Sequence, residues 1–129
     1  MSTLQTRGQT LAKEASQYVA GVKEENADLQ RKYGSLARKL PSLILANGLG
    51  QTLAYLKSKG YDKGKPDPKK AEGLLFTQLS QHVLGKDKDL LTEVMRENSS
   101  EYRRHTTEVL AFAGWLKRFA EAELEQGED

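Results

Sequence analysis

The chain has 129 residues, of which 37% are hydrophobic and 29% charged, and it contains no cysteine. We expect one domain over residues 1–129, because this length can bury a substantial core without cross-links. The lack of cysteine excludes disulfides, thiolate zinc ligands and cysteine nucleophiles. The N-terminal residues lack the apolar core of a secretory signal, and no stretch reaches the roughly 18 apolar residues of a membrane span. We therefore expect a soluble, cytoplasmic protein.

The charge is distributed unevenly along the chain. The formal net charge of +2 is the result of a cancellation. Residues 1–30 carry three basic and four acidic side chains, and residues 31–70 carry ten basic and two acidic ones, a net charge of +8. Residues 71–129 carry seven basic and twelve acidic side chains, a net charge of −5. Such an asymmetry indicates the kind of partner rather than the fold.

The hydrophobic pattern predicts an all-α fold, a single compact helical bundle of about five to six helices. Apolar residues recur at intervals of three and four, and strand-like alternation is missing. The first helix is expected to run from about Thr3, with Leu4 on its apolar stripe, to residue 25. A second begins near Asn26 and ends or kinks at Pro41, since proline has no N–H for the helix ladder. After a short helical stretch and a break at Asn47-Gly48, residues 51–58 resume the helix.

The following segment combines a loop with two more helices. Residues 60–70 are predicted to be a loop, because they hold two glycines, two prolines and a run of charges. A helix is expected over residues 72–83 and is closed by Gly85. A short helix is expected over residues 89–96, capped by Asp89 and with Met95 packed inward.

The last helix carries the clearest pattern. Asn98 precedes Glu101 by three residues, the spacing of a capping box. The apolar seam that follows repeats at intervals of three and four and consists of Tyr102, Thr106, Val109, Ala113, Leu116 and Ala120. Residues 121–129 are expected to fray, because their acidic side chains lie near a helix C-terminus, where the dipole disfavours them.

The residues that could support catalysis are few. Glu101, His105 and Glu108 are spaced i, i+4 and i+7, so one helix face could offer a metal three ligands. The alternative is a charged, partly buried helix flank with a local ion pair. We favour the second interpretation, because metal sites in helical bundles draw their acids from several helices. The sequence therefore predicts no metal, no cofactor and no catalytic residue.

Two glycine-containing segments resemble phosphate-binding motifs without fulfilling them. Gly48-Leu49-Gly50 has the spacing of a nucleotide-binding turn, but no strand precedes it, so a helix-to-helix turn is favoured. The segment from Gly60 to Lys65 is one residue short of a phosphate-binding loop, and Pro66 replaces the Ser or Thr that such a loop needs. We interpret it as an ordinary loop.

The basic middle third is the most distinctive feature. Arg31-Lys32 and Arg38-Lys39 are seven residues apart and so recur on one side of the second helix, and Lys57 and Lys59 follow at the end of the next segment. A positive stripe attracts a phosphate backbone through counterion release. The alternative is a solvated face that keeps the protein soluble. Tyr33 and Tyr55 lie in the same region, at positions that suit base stacking and a hydrophobic core about equally well.

Three blocks of sequence carry a resemblance to a known family. They are LPSLILANGLGQTLAYLKSKG at residues 40–60, Glu101-Tyr102-Arg103-Arg104, and Trp115-Leu116-Lys117-Arg118. The chain resembles the small all-helical subunit of the type III-B CRISPR effector, the Cmr complex. The blocks stand in the family's order, and the resemblance spans nearly the whole chain.

This resemblance implies a compact helical protein without nuclease activity. Copies in that family stack beside the subunits that hold the CRISPR RNA, and together they line the groove of the guide–target RNA duplex. Cleavage of target RNA is assigned to the neighbouring backbone subunit. The implied partners are the other Cmr subunits, sibling copies, and the CRISPR and target RNA backbones, with no membrane and no small-molecule substrate.

The residues that bind RNA are predicted from charge and not from a family motif. We assign the contacts with the RNA backbone to six side chains, namely Arg31, Lys32, Arg38, Lys39, Lys57 and Lys59. The acidic last third predicts that copies stack head to tail, basic face against acidic face. Two alternatives stay open: a metal-dependent enzyme built on Glu101, His105 and Glu108, and a helical protein-binding adaptor without direct RNA contact.

Overall fold

The computed structural model describes residues 6–126, and in this part of the chain six α-helices pack around one core beside a small hairpin. The prediction of an all-α helical bundle is confirmed. The elements in chain order are α1 (Arg7–Lys23), α2 (Ala27–Asn47), α3 (Leu49–Gly60), β1 (Tyr61–Asp62), β2 (Lys65–Pro66), α4 (Ala71–Leu84), α5 (Leu90–Met95) and α6 (Ser99–Glu123).

The first helix begins at a local capping signal. The Thr6 side chain accepts a hydrogen bond from the Gln9 backbone N–H, and the Gln9 side chain accepts one from the Thr6 backbone N–H. These reciprocal bonds satisfy two backbone donors that have no partner within the helix. The predicted start at Thr3 and the predicted stripe position Leu4 lie outside the described residues.

The second helix passes through Pro41, so of the two predicted outcomes, an end or a kink, the end is wrong. Proline removes one backbone hydrogen bond and costs about 3 kcal/mol inside a helix. Leu40 and Ile44 are almost fully buried on the core side of α2, and each such burial contributes about 1.5–3 kcal/mol. Core packing therefore outweighs the proline. The predicted break is confirmed at Gly48, whose φ of +87° lies in the region that favours glycine.

The segment predicted as a loop contains a short hairpin, so that prediction is wrong for residues 61–66. Tyr61 pairs with Pro66 and Asp62 with Lys65 in antiparallel register. The two residues of the turn, Lys63 and Gly64, both have positive φ, at 53° and 79°. Two-residue hairpins favour this conformation because it matches the twist of the flanking strands.

Most of the helix faces that were predicted to be apolar and inward-facing are buried in the core. On α6 the seam residues Val109, Ala113, Leu116 and Ala120 are buried. The cap of α5 is also confirmed, since the Asp89 side chain accepts a hydrogen bond from the Thr92 backbone N–H. The prediction that Met95 packs inward is wrong, because its side chain is largely exposed. Helix α5 has only six residues, and Leu90 and Val94 occupy its buried positions.

The C-terminal segment packs against α2. Helix α6 extends to Glu123, and the next residue, Leu124, is buried. The backbone N–H of Glu125 then donates to the Gln30 side chain over 3.1 Å. Residues 121–126 belong to the segment that was predicted to fray, but they contact the bundle. The burial of Leu124 outweighs the unfavourable interaction of the acidic side chains with the helix dipole. Residues 127–129 lie outside the described part.

None of the helices within residues 6–126 combines the length and the apolar character that a bilayer-crossing segment needs.

Candidate nucleic-acid interface

A groove of about 710 Å³ runs between α2 and α3, with the start of α4 at its edge. We call it the α2–α3 groove. Its lining mixes apolar, amide and charged side chains and consists of Lys32, Ser35, Leu36, Lys39, Leu43, Asn47, Gln51, Thr52, Tyr55 and Glu72.

Helical spacing and one tertiary hydrogen bond produce this groove. On α2, Lys32, Lys39 and Leu43 are seven and four residues apart, which puts them on one face. The Gly50 backbone N–H donates to the Tyr102 hydroxyl over 2.8 Å, which ties the turn between α2 and α3 to α6. The Gly48-Leu49-Gly50 segment is therefore a helix-to-helix turn, as favoured from the sequence.

The four predicted cations of α2 form two rows. Lys32 and Lys39 line the groove. Arg31 and Arg38 each precede them by one residue, which is about 100° around the helix axis. The Arg38 guanidinium donates to the Gln126 side chain over 2.7 Å, so the arginine row faces the C-terminal segment. The structure thus divides the predicted stripe between two neighbouring faces.

The two predicted lysines of α3 differ from each other. Lys57 Nζ lies 3.4 Å from Asp89 Oδ2 and 4.9 Å above the Tyr61 ring. Burial raises the pKa of Asp89, but the Thr92 N–H and the Lys57 charge outweigh it and hold that pKa below its usual value. Lys57 therefore stabilises the junction of α3 and α5. Lys59 is exposed and lies one turn beyond Tyr55, on the side of the groove.

The two tyrosines that the sequence left undecided have different positions. Tyr33 is fully buried, and its hydroxyl is hydrogen-bonded to the Gln78 side chain. Burial raises its pKa well above the usual value. Tyr55 lines the groove with 43% of its surface exposed. Of the two, Tyr55 alone is available to a ligand.

Several polar lining residues were not predicted from the sequence, among them Asn47, Gln51 and Glu72. Asn47 and Gln51 lie on either side of the turn between α2 and α3, and Glu72 lies in the first turn of α4. The four-residue spacing of Gln51 and Tyr55 on α3 is a local signal that these two residues share a side. No local signal places Glu72 beside them, because it is 17 residues beyond Tyr55.

The proposed metal ligands of α6 have separate partners. The Glu101 side chain accepts a hydrogen bond from the Asn98 backbone N–H in the predicted capping box. His105 Nδ1 lies 2.6 Å from Glu97 Oε2, and the Glu108 carboxylate contacts Arg7 and His82. Within residues 6–126 no three His, Cys, Asp or Glu side chains are arranged to hold a metal.

The contacts of Glu108 belong to a partly buried polar network that we call the His82 network, made of Arg7, Glu14, His82 and Glu108. His82 Nδ1 lies 2.9 Å from Glu14 and Nε2 lies 2.5 Å from Glu108. The imidazole ring stacks on Phe112, with centroids 3.9 Å apart. Ionised carboxylates only accept hydrogen bonds, so the imidazole of His82 is the donor in any hydrogen bond with them. The network joins α1, α4 and α6.

This network predicts how stability depends on acidic pH. Burial raises the pKa of Glu108, but hydrogen bonds from Arg7 and His82 outweigh it, so the pKa lies below the ordinary value of 4.5. A lowered folded-state pKa contributes stability above the unfolded-state value, and this contribution is lost as the pH falls through the folded value. We expect the free energy of unfolding to fall below about pH 4.5, less steeply in Glu108→Gln than in the wild type. Urea denaturation from pH 3 to pH 7 measures both slopes, and equal slopes would contradict this role for Glu108.

Comparisons with known proteins agree over nearly the whole chain. Residues 7–123 match the family model described as "CRISPR-associated protein (Cas_Cmr5)". The chain is 36% identical over 124 residues to the CRISPR system Cmr subunit Cmr5 of Thermus thermophilus, covering 95% of this chain and 100% of that protein.

A solved structure supports the same relationship. The crystal structure of a CRISPR-associated Cmr5 family protein from Thermus thermophilus superposes with a TM-score of 0.75 and 33% sequence identity. The match covers 93% of this chain and 98% of that one. Sequence, fold and coverage agree, and the chain belongs to the Cmr5 family of CRISPR-associated proteins.

Proposed function

We propose that this protein is a non-catalytic small subunit of a CRISPR Cmr ribonucleoprotein in the cytoplasm. Its partners are the other Cmr subunits, sibling copies, and the backbones of the CRISPR and target RNAs. Membership of the Cmr5 family supports the assembly, since a relative is named as a subunit of the Cmr system. The observation that carries the RNA contact is the α2–α3 groove, where Lys32 and Lys39 face the same side.

The proposed mechanism is electrostatic. Lys32 and Lys39 are two helical turns apart, about 10.5 Å along the axis, so they can meet separate phosphates of one backbone. Binding releases condensed counterions and needs no base-reading motif. In an RNA-guided complex, base pairing supplies the specificity, and the protein recognises shape and phosphates. Arg31 and Arg38 on the adjacent face of α2, and Lys59 beyond Tyr55, extend the basic surface.

The contact between sibling copies follows from charge. Residues 31–70 carry a net charge of +8 and residues 71–129 a net charge of −5. Exposed acids near the end of α6, such as Glu121 and Glu123, contribute to the acidic part. A head-to-tail arrangement that joins the two parts is a heterologous interface, which generates an open stack when the rotation between copies does not close into a ring.

Charge reversal at the groove tests the RNA contact. Lys32→Glu combined with Lys39→Glu is expected to weaken RNA binding by the reconstituted complex. The plot of log affinity against log salt has a negative slope, and each lost phosphate contact reduces its magnitude by about 0.7–0.9. We therefore expect the magnitude of the slope to fall by about 1.5 in the double variant. Fluorescence anisotropy with labelled target RNA between 50 and 200 mM salt (about the range in which such effects are large) measures it.

The matched control reverses the charge of two exposed lysines outside α2 and α3, in the double variant Lys13→Glu and Lys86→Glu. This control variant has the same net charge as the groove variant and is expected to keep the wild-type slope. An unchanged slope in the groove variant contradicts the RNA contact. If, in addition, the protein keeps its partners after nuclease treatment, the protein-binding adaptor is the better interpretation.

A further inference from the structure

Tyr55 presents an aromatic ring to the α2–α3 groove. All five tyrosines of the chain lie within the described residues, and Tyr55 is the exposed one. The lining beside it includes the aliphatic side chains of Leu36 and Leu43. Aromatic rings beside basic side chains are the usual platforms for unpaired bases, since every base has a face that stacks.

The groove also contains polar groups whose hydrogen-bonding capacity is unused. The side chains of Asn47, Gln51 and Glu72 have no hydrogen-bond or ion-pair partner within residues 6–126. Each amide offers two donors and an acceptor, and the carboxylate offers acceptors, which together match the edges of a nucleobase. These three groups therefore supply hydrogen-bonding partners near the Tyr55 ring.

Cations complete the site. Lys39 has no carboxylate partner in the described part of the chain. Lys32 pairs with Asp28 over 3.1 Å, but both side chains are about two-thirds exposed, and such pairs contribute little. Both lysines are thus available to a phosphate. The groove volume of about 710 Å³ lies within the range of roughly 300–1,000 Å³ that is typical of small-ligand sites.

We propose that the α2–α3 groove binds one unpaired nucleotide of an RNA strand. Its base stacks on Tyr55, its base edge meets Asn47, Gln51 or Glu72, and its phosphate meets Lys39 or Lys32. The proposal rests on the proposed RNA contact and adds to it a base-dependent component. An apolar peptide segment fits this groove less well, because it would leave Lys39, Asn47, Gln51 and Glu72 without polar partners.

The test separates the contribution of the base to binding from that of the sugar-phosphate backbone. The full-length protein is titrated at 50 mM salt with an oligouridine and with an abasic ribose-phosphate oligomer of equal length. The two ligands carry equal charge, so the counterion term cancels in the ratio of their dissociation constants. We expect the wild type to prefer the oligouridine about tenfold, the scale of one stacked base.

Variants at Tyr55 assign the preference to the groove. Tyr55→Leu keeps the apolar bulk but removes the ring, so the preference should fall to about one while the affinity for the abasic oligomer and the salt slope stay unchanged. Tyr55→Phe keeps the ring and should keep the preference. Trp115→Leu, which removes an exposed aromatic on α6, is the matched control and should also keep it.

The outcomes distinguish this proposal from the one on which it rests. Equal affinity of the wild type for both oligomers, a preference that persists in Tyr55→Leu, or failure to bind either oligomer would each overturn the nucleotide site. The proposed RNA contact is judged separately, by the salt slope of the reconstituted complex with Lys32 and Lys39 reversed. That slope responds to phosphates alone, so it can support backbone contact where the base preference is absent.

Discussion

Replacing Gly73 with alanine is expected to destabilise the protein by about 3 kcal/mol or more, because the added methyl group meets rigid backbone. A Cβ at Gly73 lies 2.4 Å from the carbonyl oxygens of both Asp67 and Gly60, and 2.7 Å from the Asp67 nitrogen. Real Cβ atoms essentially never approach other atoms below 3.0 Å. Backbone atoms cannot rotate away as a side chain can, so α3 and α4 must separate. Thermal unfolding followed by circular dichroism measures the loss.

The matched control is Gly21→Ala in the exposed part of α1, where a Cβ meets nothing within 4 Å. Alanine is a better helix former than glycine, so this variant should gain about 0.5–1 kcal/mol. Equal stability of the two variants would contradict the close approach of α3 and α4. The contact also bears on the candidate site, since Glu72, the neighbour of Gly73, lies at the edge of the α2–α3 groove.

Replacing His82 with phenylalanine is expected to lower the free energy of unfolding by about 2–3 kcal/mol. A hydrogen bond to a charged group contributes about 1.5–3 kcal/mol, and we expect less than the sum of two such bonds because the Glu14 and Glu108 side chains are 32% and 25% exposed. Phenylalanine keeps the stacking on Phe112 but removes both hydrogen bonds. The two carboxylates then face each other without a hydrogen-bond donor between them. Urea denaturation at neutral pH measures the loss.

A double-mutant cycle isolates the ionic contribution. Glu14→Gln should be destabilising in the wild type but nearly neutral, or stabilising, in His82→Phe, because the glutamine then relieves a repulsion. Additive effects of the two substitutions would show that His82 acts through packing alone. The α2–α3 groove lies outside the His82 network. In either case, therefore, the salt slope of RNA binding should remain that of the wild type.

Features that depend on neighbours in sequence were predictable. The capping box of Asn98 and Glu101, the cap of Asp89 and the break at Gly48 are each set by hydrogen bonds or dihedral angles within a few residues. The buried seam of α6 follows from the period of the helix. The apolar pattern therefore determined the fold class and most helix boundaries.

Features that depend on packing between helices were not predictable. Pro41 lies inside α2 because the core residues beside it outweigh the lost hydrogen bond, and Met95 is exposed because α5 is short. His82 bonds Glu14 and Glu108, which are 68 and 26 residues away. Periodicity shows which face of a helix is apolar, but it does not show which helix covers that face.

The same limit applies to the candidate site. The sequence by itself determined that residues 31–70 are strongly basic and that Tyr55 lies among them. Only the tertiary structure decided that Lys32 and Lys39 share a groove with Tyr55, that Lys57 pairs with Asp89, and that Tyr33 is buried. The physical reason is that charge and spacing are properties of one helix. A binding surface, in contrast, forms where the faces of two helices meet.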